Sequence, residues 1–150
     1  MATWIYPQSQ QITAVTATQL PFVTGLLKLI KSSIALTPTL TAADLAAVEC
    51  DFTGYAHVTF TALPAPYADS KYNGVSFDIP TQLFQVGSPV VTGNDVYGGW
   101  IEDSAHALLV AFLFNAPFPM QAAHVGMPLS LILNFYGSNQ VYADIGDTPQ

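Results

Sequence analysis

The chain has 150 residues, of which 51% are hydrophobic and only 9% are charged, and its formal net charge is −7. An ordinary soluble domain has about 25% charged residues. Three lysines and no arginine cannot neutralise a nucleic-acid backbone or hold an anionic membrane surface, so the composition argues against both partners.

The length suits one domain, which we place at residues 26–150, behind an N-terminal arm of residues 1–25. Trp4, Ile5 and Tyr6 make the arm apolar, and no charge precedes Lys28. Such an arm is expected to dock on its own domain or on a neighbour, so these three residues are predicted assembly contacts. Further along the arm, residues 12–18 alternate apolar residues with threonine, a pattern typical of an extended segment.

Short segments of strand composition follow, separated by turn signals. They are residues 26–34, 55–63, 75–79, 82–86, 96–101, 107–114 and 129–136. Asn73-Gly74 predicts a type I′ hairpin turn, and Pro80 is expected to divide two of the strands. Residues 107–114 are apolar on both faces, so this strand is expected to lie between two layers or to face a partner subunit.

One stretch has a helical signature. Thr41-Ala-Ala-Asp44 is an acidic form of the capping box, and it precedes the apolar residues 45–48. Many short strands, 11 prolines, 10 glycines and one short helix predict an all-β fold. We expect an antiparallel β-sandwich, jelly-roll-like, with one short helix.

No residue pattern predicts a catalytic, cofactor or metal site. Asp103-Ser-Ala-His106 holds the residue types of a hydrolytic triad, but neighbours on a strand point to opposite faces. Glu102, Asp103 and His106 could bind a cation together with His124, although a solvated loop is the simpler interpretation. Cys50 is the sole cysteine, which excludes an intrachain disulfide and a zinc site built on thiolates. We therefore expect no enzymatic activity.

Aromatic side chains suggest a different role. Tyr97 and Trp100 could stack on sugar rings, as aromatic faces do in carbohydrate-binding β modules, and Tyr67 and Tyr72 form a second such pair. Packing in the core or in a subunit interface is the simpler interpretation, particularly for Trp100, which follows two glycines.

Several short motifs occur in a recognisable order. They are Leu26-Leu-Lys-Leu-Ile30, Thr37-Pro38, Asp51-Phe-Thr-Gly-Tyr-Ala56, Tyr97-Gly-Gly-Trp100 and Phe114-Asn-Ala-Pro117. In this order, residues 26–136 resemble a family of small proteins encoded by tailed bacteriophages and prophage-like regions. The resemblance implies a structural role in the virion, on the capsid or at the tail. His57 stands where the family pattern often has arginine, so a role that needs a fixed charge there is not implied.

Composition favours the same class of function. Apolar surface beyond the needs of one core is normally covered in an oligomer, commonly a cyclic one. We therefore expect a capsid decoration or minor capsid protein, located in the virion, that forms a homo-oligomer, with a trimer favoured, and contacts the major capsid protein. The alternative is a tail-associated module that binds a receptor or a carbohydrate through Tyr97 and Trp100.

Overall fold

The computed structural model describes residues 7–146, which form two helices and eight strands. The elements are α1 (Gln8–Val23), β1 (Leu26–Ile30), α2 (Ala42–Ala46), β2 (Val58–Thr59), β3 (Tyr67–Ala68), β4 (Val75–Gln85), β5 (Asn94–Glu102), β6 (Leu108–Met120), β7 (Gly126–Phe135) and β8 (Val141–Asp144). Two antiparallel four-stranded sheets pack together, which confirms the predicted β-sandwich. The first sheet has the order β2-β1-β5-β6, and the second has the order β3-β4-β7-β8.

The strand order differs from that of a jelly roll. In a jelly roll most consecutive strands lie in opposite sheets, whereas here each sheet consists of two pairs of consecutive strands. Three of these pairs, β3-β4, β5-β6 and β7-β8, are joined by short turns. A short turn holds its two strands side by side, so each hairpin stays within one sheet.

The helix α1, which the sequence did not predict, shows that the prediction of an extended segment at residues 12–18 is wrong. Val15, Gln19 and Phe22 are buried at helical spacing, and they place α1 against the core beside β4. The Gln19 amide Nε2 donates a hydrogen bond to the Pro64 carbonyl at 2.7 Å, so its burial is compensated. The described part of the arm is thus docked on the sandwich, while Trp4, Ile5 and Tyr6 lie outside the described residues.

Two strands run further than the sequence predicts, each through at least one proline. β4 passes through Pro80, where the pairing with β7 shifts register between Ile79 and Gln82. β6 continues beyond residue 114 to Met120, and its pairing with β5 is interrupted between Val96 and Gly98. A register shift accommodates residues that cannot donate to the ladder, so proline interrupts these strands without ending them.

The molecule has two apolar clusters. The main core lies between the sheets and includes Phe77, Phe112 and Met127. A second cluster, Ile30, Leu45 and Trp100, lies where α2 and its flanking loops cover the first sheet. The predicted capping box fixes α2, because Thr41 and Asp44 each bond to the other's backbone N–H.

Neither of the two helices found in residues 7–146 is long and apolar enough to cross a membrane.

The Asn73-Gly74 turn provides a test of the fold. Both residues have positive φ, 61° and 68°, as the predicted type I′ turn requires, but they end a six-residue connection between β3 and β4 (residues 69–74) and do not form a two-residue hairpin loop. A Cβ atom at position 74 would also clash with the Phe135 carbonyl oxygen. We expect Gly74→Ala to lower the free energy of unfolding by about 2 kcal/mol, measured by urea denaturation.

Gly87→Ala is the matched control. A Cβ there would lie 3.4 Å from the Thr53 methyl carbon, which is an ordinary contact. We expect the control to change the free energy of unfolding by less than about 1 kcal/mol. Equal effects of the two substitutions would contradict the assigned turn.

Candidate functional site

A buried carboxylate connects three parts of the first sheet. Glu102, at the end of β5, is 2% exposed. Its Oε1 accepts a hydrogen bond from the Lys28 ammonium on β1 at 2.9 Å, and its Oε2 accepts one from the Trp100 indole N–H at 3.0 Å. The His106 Nδ1 atom, in the loop after β5, lies 2.8 Å from Oε1. Both carboxylate oxygens are therefore engaged within the fold.

The surroundings of Glu102 favour its charged form. Burial by itself raises the pKa of the carboxyl, but the hydrogen bonds from His106, Trp100 and Lys28, together with the Lys28 charge, outweigh it. The net result lowers the pKa from 4.5 to about 2. A carboxylate held in this state is a structural anchor and does not have the raised pKa of a general acid.

The residues considered for hydrolysis are separated by their own contacts. The Asp103 carboxylate accepts hydrogen bonds from the backbone N–H groups of Ala105 and Ala107, so it shapes the loop instead of orienting His106.

The single cysteine is also unsuited to catalysis. Cys50 is buried, and desolvation with the nearby Asp51 charge raises the pKa of its thiol to about 12. This thiol stays protonated at neutral pH and is a poor nucleophile.

The candidate cation ligands are only partly brought together. Glu102 and His106 are in contact, whereas His124 lies in the loop between β6 and β7, where its backbone N–H bonds to Val86. Within residues 7–146 no group of three or more His, Cys, Asp or Glu side chains could hold a metal ion.

The proposed sugar platform at Trp100 is wrong. Trp100 is 0% exposed because α2 and its flanking loops close over it, with Ile30 and Leu45 against the ring. Its indole N–H is also engaged by Glu102. Tyr97, three residues earlier on β5, is half-buried, so only this member of the pair reaches the surface.

The outer face of the second sheet carries an aromatic groove. The Tyr72 and Tyr142 rings stack with centroids 3.6 Å apart and an interplanar angle of 11°. The Lys71 ammonium lies 5.0 Å from the Tyr72 ring centroid. The groove has a volume of about 350 Å³, and Ser130 and Asp144 also line it. Tyr72 is a candidate from the sequence alone, whereas Tyr142, which is 70 positions away, is not.

Local hydrogen bonds hold Tyr72 in this position. The Asp69 carboxylate accepts the backbone N–H groups of Lys71 and Tyr72 and the Ser76 hydroxyl at 2.6–3.0 Å. The hydrogen bond from Ser76 is the main reason that the pKa of Asp69 is lowered. The loop before Asn73 is therefore fixed, and the stacked pair is a preformed feature of the surface.

Besides the aromatic groove, a second feature is open to solvent, the outer edge of β6. Within the part of the chain that the structure describes, no strand pairs with this edge at residues 108–113. Cavities of about 410 and 200 Å³ flank it, one bordered by Leu36 and Leu40 and the other by Phe22 and Val141. Leu113 is 37% exposed. Residues 108–120 include no charged side chain.

Substitution of Glu102 tests its role as an anchor. We expect Glu102→Gln to lower the free energy of unfolding by about 3 kcal/mol, because the Lys28 ammonium, whose side chain is only 15% exposed, loses its buried counter-charge. The folded-state pKa of Glu102 lies below its ordinary value, so its contribution is complete above about pH 4.5 and is lost as the pH falls towards 2. Urea denaturation across this range should show a steeper pH dependence for the parent than for the variant.

The control is the exposed pair of Lys31 and Asp51, whose side-chain atoms lie 2.9 Å apart and are 35% and 57% exposed. Because solvent screens this pair, Asp51→Asn should cost much less stability than Glu102→Gln. An equal loss from both substitutions would show that Glu102 has no special structural role.

The chain matches no family model, and no curated protein or solved structure is significantly similar to it. The resemblance to bacteriophage proteins therefore remains a prediction. Function has to be inferred from the two open features, the aromatic groove and the edge of β6.

Proposed function

We propose that this protein is a structural component of a bacteriophage virion, specifically a capsid decoration or minor capsid protein. It would act as a homo-oligomer, with a trimer favoured, and would contact other virion proteins such as the major capsid protein. The observation that supports this proposal best is the open, uncharged edge of β6.

Open edges are normally blunted in proteins that stay monomeric, by short strands, charges, prolines or bulges. The other three sheet edges follow this rule, since β2 and β3 have two residues each and β8 has four. β6 has 13 residues, and its prolines lie only beyond residue 116. β6 has a register shift opposite Ile101 and Glu102, at the start of the open segment. Among the described residues, 110–113 therefore offer backbone hydrogen-bonding groups without a charge, a proline or a bulge against pairing.

The side chains along this edge suit a subunit contact. Leu109 and Val110 pack against the main core, while Leu108 and Ala111 pack against the second cluster. A strand added beside them would extend both apolar clusters across the interface. Obligate interfaces resemble a domain core cut in half, so this arrangement fits stable assembly.

The alternative function, a tail-associated module that binds a receptor or a carbohydrate, now has support at a different place. Trp100 is buried, but the stacked tyrosines of the second sheet present an aromatic surface to solvent. This groove does not involve the β6 edge.

The oligomeric state tests the proposed assembly. Size-exclusion chromatography with light scattering should give the parent protein a mass near three times the 16.0 kDa of one chain. Leu113→Lys should shift the mass towards that of one chain, because lysine on an edge strand opposes pairing with another chain.

Leu20→Lys on α1 and Leu83→Lys on β4 are matched controls, because these leucines are exposed and lie away from the edge. Both controls should keep the mass of the parent, and circular dichroism should show that all three variants are folded. A parent protein that is monomeric at every concentration, or a Leu113→Lys variant as oligomeric as the controls, would contradict the proposal.

A further inference from the structure

We infer that the groove on the outer face of the second sheet binds a neutral oligosaccharide. The groove is defined by Tyr72 and Tyr142 together with Lys71, Ser130, Ile132 and Asp144. It shares no lining residue with the two cavities beside the edge of β6, so we expect sugar binding and assembly to be separate properties of the chain.

The strand register gathers the groove residues on one face. Ile132 pairs with Tyr142 and Ser130 pairs with Asp144 across β7 and β8. Side chains alternate along a strand, so these four share a face, while the intervening Leu131 is 1% exposed and belongs to the core. An aromatic ring, an aliphatic side chain, a hydroxyl and a carboxylate are thus presented together to solvent.

Aromatic stacking is the first requirement for a sugar site. One side of the Tyr142 ring is covered by Tyr72, and the same ring lines the groove. The covered side fixes the orientation of the ring, so little side-chain entropy remains to be lost on binding. A sugar packs the apolar face of its C–H groups on such a ring.

Directional polar groups are the second requirement. The Asp144 Oδ1 atom accepts the Gly146 backbone N–H at 3.0 Å, which orients the carboxylate at the rim. A carboxylate accepts hydrogen bonds at both oxygens, and the Ser130 hydroxyl can donate as well as accept. Together they complement the vicinal hydroxyl groups of a sugar.

The charges favour a neutral ligand. Lys71 and Asp144 contribute one positive and one negative charge to the groove, and the Lys71 ammonium already lies over the Tyr72 ring. The whole chain has a net charge of −7, which repels phosphate, sulfate and acidic sugars. A polyhydroxylated, uncharged ligand is therefore the best match.

The size of the groove favours more than one sugar unit. Its volume of about 350 Å³ falls in the usual range for small-molecule sites, about 300–1,000 Å³. A second depression of about 120 Å³, lined by Thr81 and Pro128, adjoins it. The two share Ser130, Asp144 and Gly146, so they form neighbouring positions along one face.

The test begins with an array of neutral and acidic oligosaccharides, followed by an NMR titration of the ¹⁵N-labelled protein with the best neutral oligosaccharide. We expect binding to neutral sugars, with chemical-shift changes concentrated at residues 71–72, 130–132 and 142–146. Binding only to acidic sugars, no binding at millimolar concentration, or shift changes elsewhere would overturn the inference.

Variants then separate a stacking role from a structural one. Tyr142→Ala should weaken binding by at least about tenfold, whereas Tyr142→Trp, which keeps an aromatic face, should retain it within about threefold. Tyr97→Ala, on the other sheet, is the matched control and should bind like the parent. If Tyr142→Ala fails to fold, the Tyr142→Trp variant and the shift map of the parent decide the question.

Leu113→Lys separates this inference from the proposed function. This variant is expected to lose assembly and to keep sugar binding. Loss of sugar binding in a folded Leu113→Lys protein would overturn the placement of the site on the second sheet, whether or not the parent assembles.

Discussion

The buried carboxylate of Glu102 is the constraint on which the rest of the first sheet depends. Removing such a charge from water costs several kcal/mol unless close partners compensate it. Lys28, Trp100 and His106 supply these partners from β1, β5 and the following loop. Their geometry requires Trp100 to lie on the outer face of the sheet, and α2 with its flanking loops then covers the ring. An otherwise open sheet face becomes a second apolar cluster.

The covered outer face of the first sheet helps to explain the low charge content, because apolar residues are needed there as well as in the main core. The hydrophobic residues, 51% of the chain, are divided between the main core, the second cluster and the contacts under α1. Exposed apolar side chains are scattered, among them Leu20 on α1, Leu83 on β4 and Val91 before β5. The two open features described above are the edge of β6 and the outer face of the second sheet. The two differ in chemistry, because the edge is uncharged and apolar while the groove combines aromatic, charged and hydroxyl groups.

Features set by neighbouring residues could be predicted from the sequence, and those set by distant contacts could not. The Asn73-Gly74 turn and the Thr41–Asp44 box follow from local backbone chemistry, and the spacing of the strands predicted the sandwich. The helix α1 was missed because one of its three buried positions is Gln19, whose partner is Pro64. The burial of Trp100 and the pairing of Tyr72 with Tyr142 depend on segments far away in the chain.

Hydrogen–deuterium exchange across a dilution series is the sharpest test of the proposal that the edge of β6 is the assembly surface. In the dissociated chain the outward-facing amides of residues 108–113 have no strand partner among the described residues, so they should exchange rapidly. At concentrations where the protein is assembled, we expect strong protection of these amides and little change at residues 71–74. Equal exchange of residues 108–113 at all concentrations, in a protein shown to assemble, would contradict it.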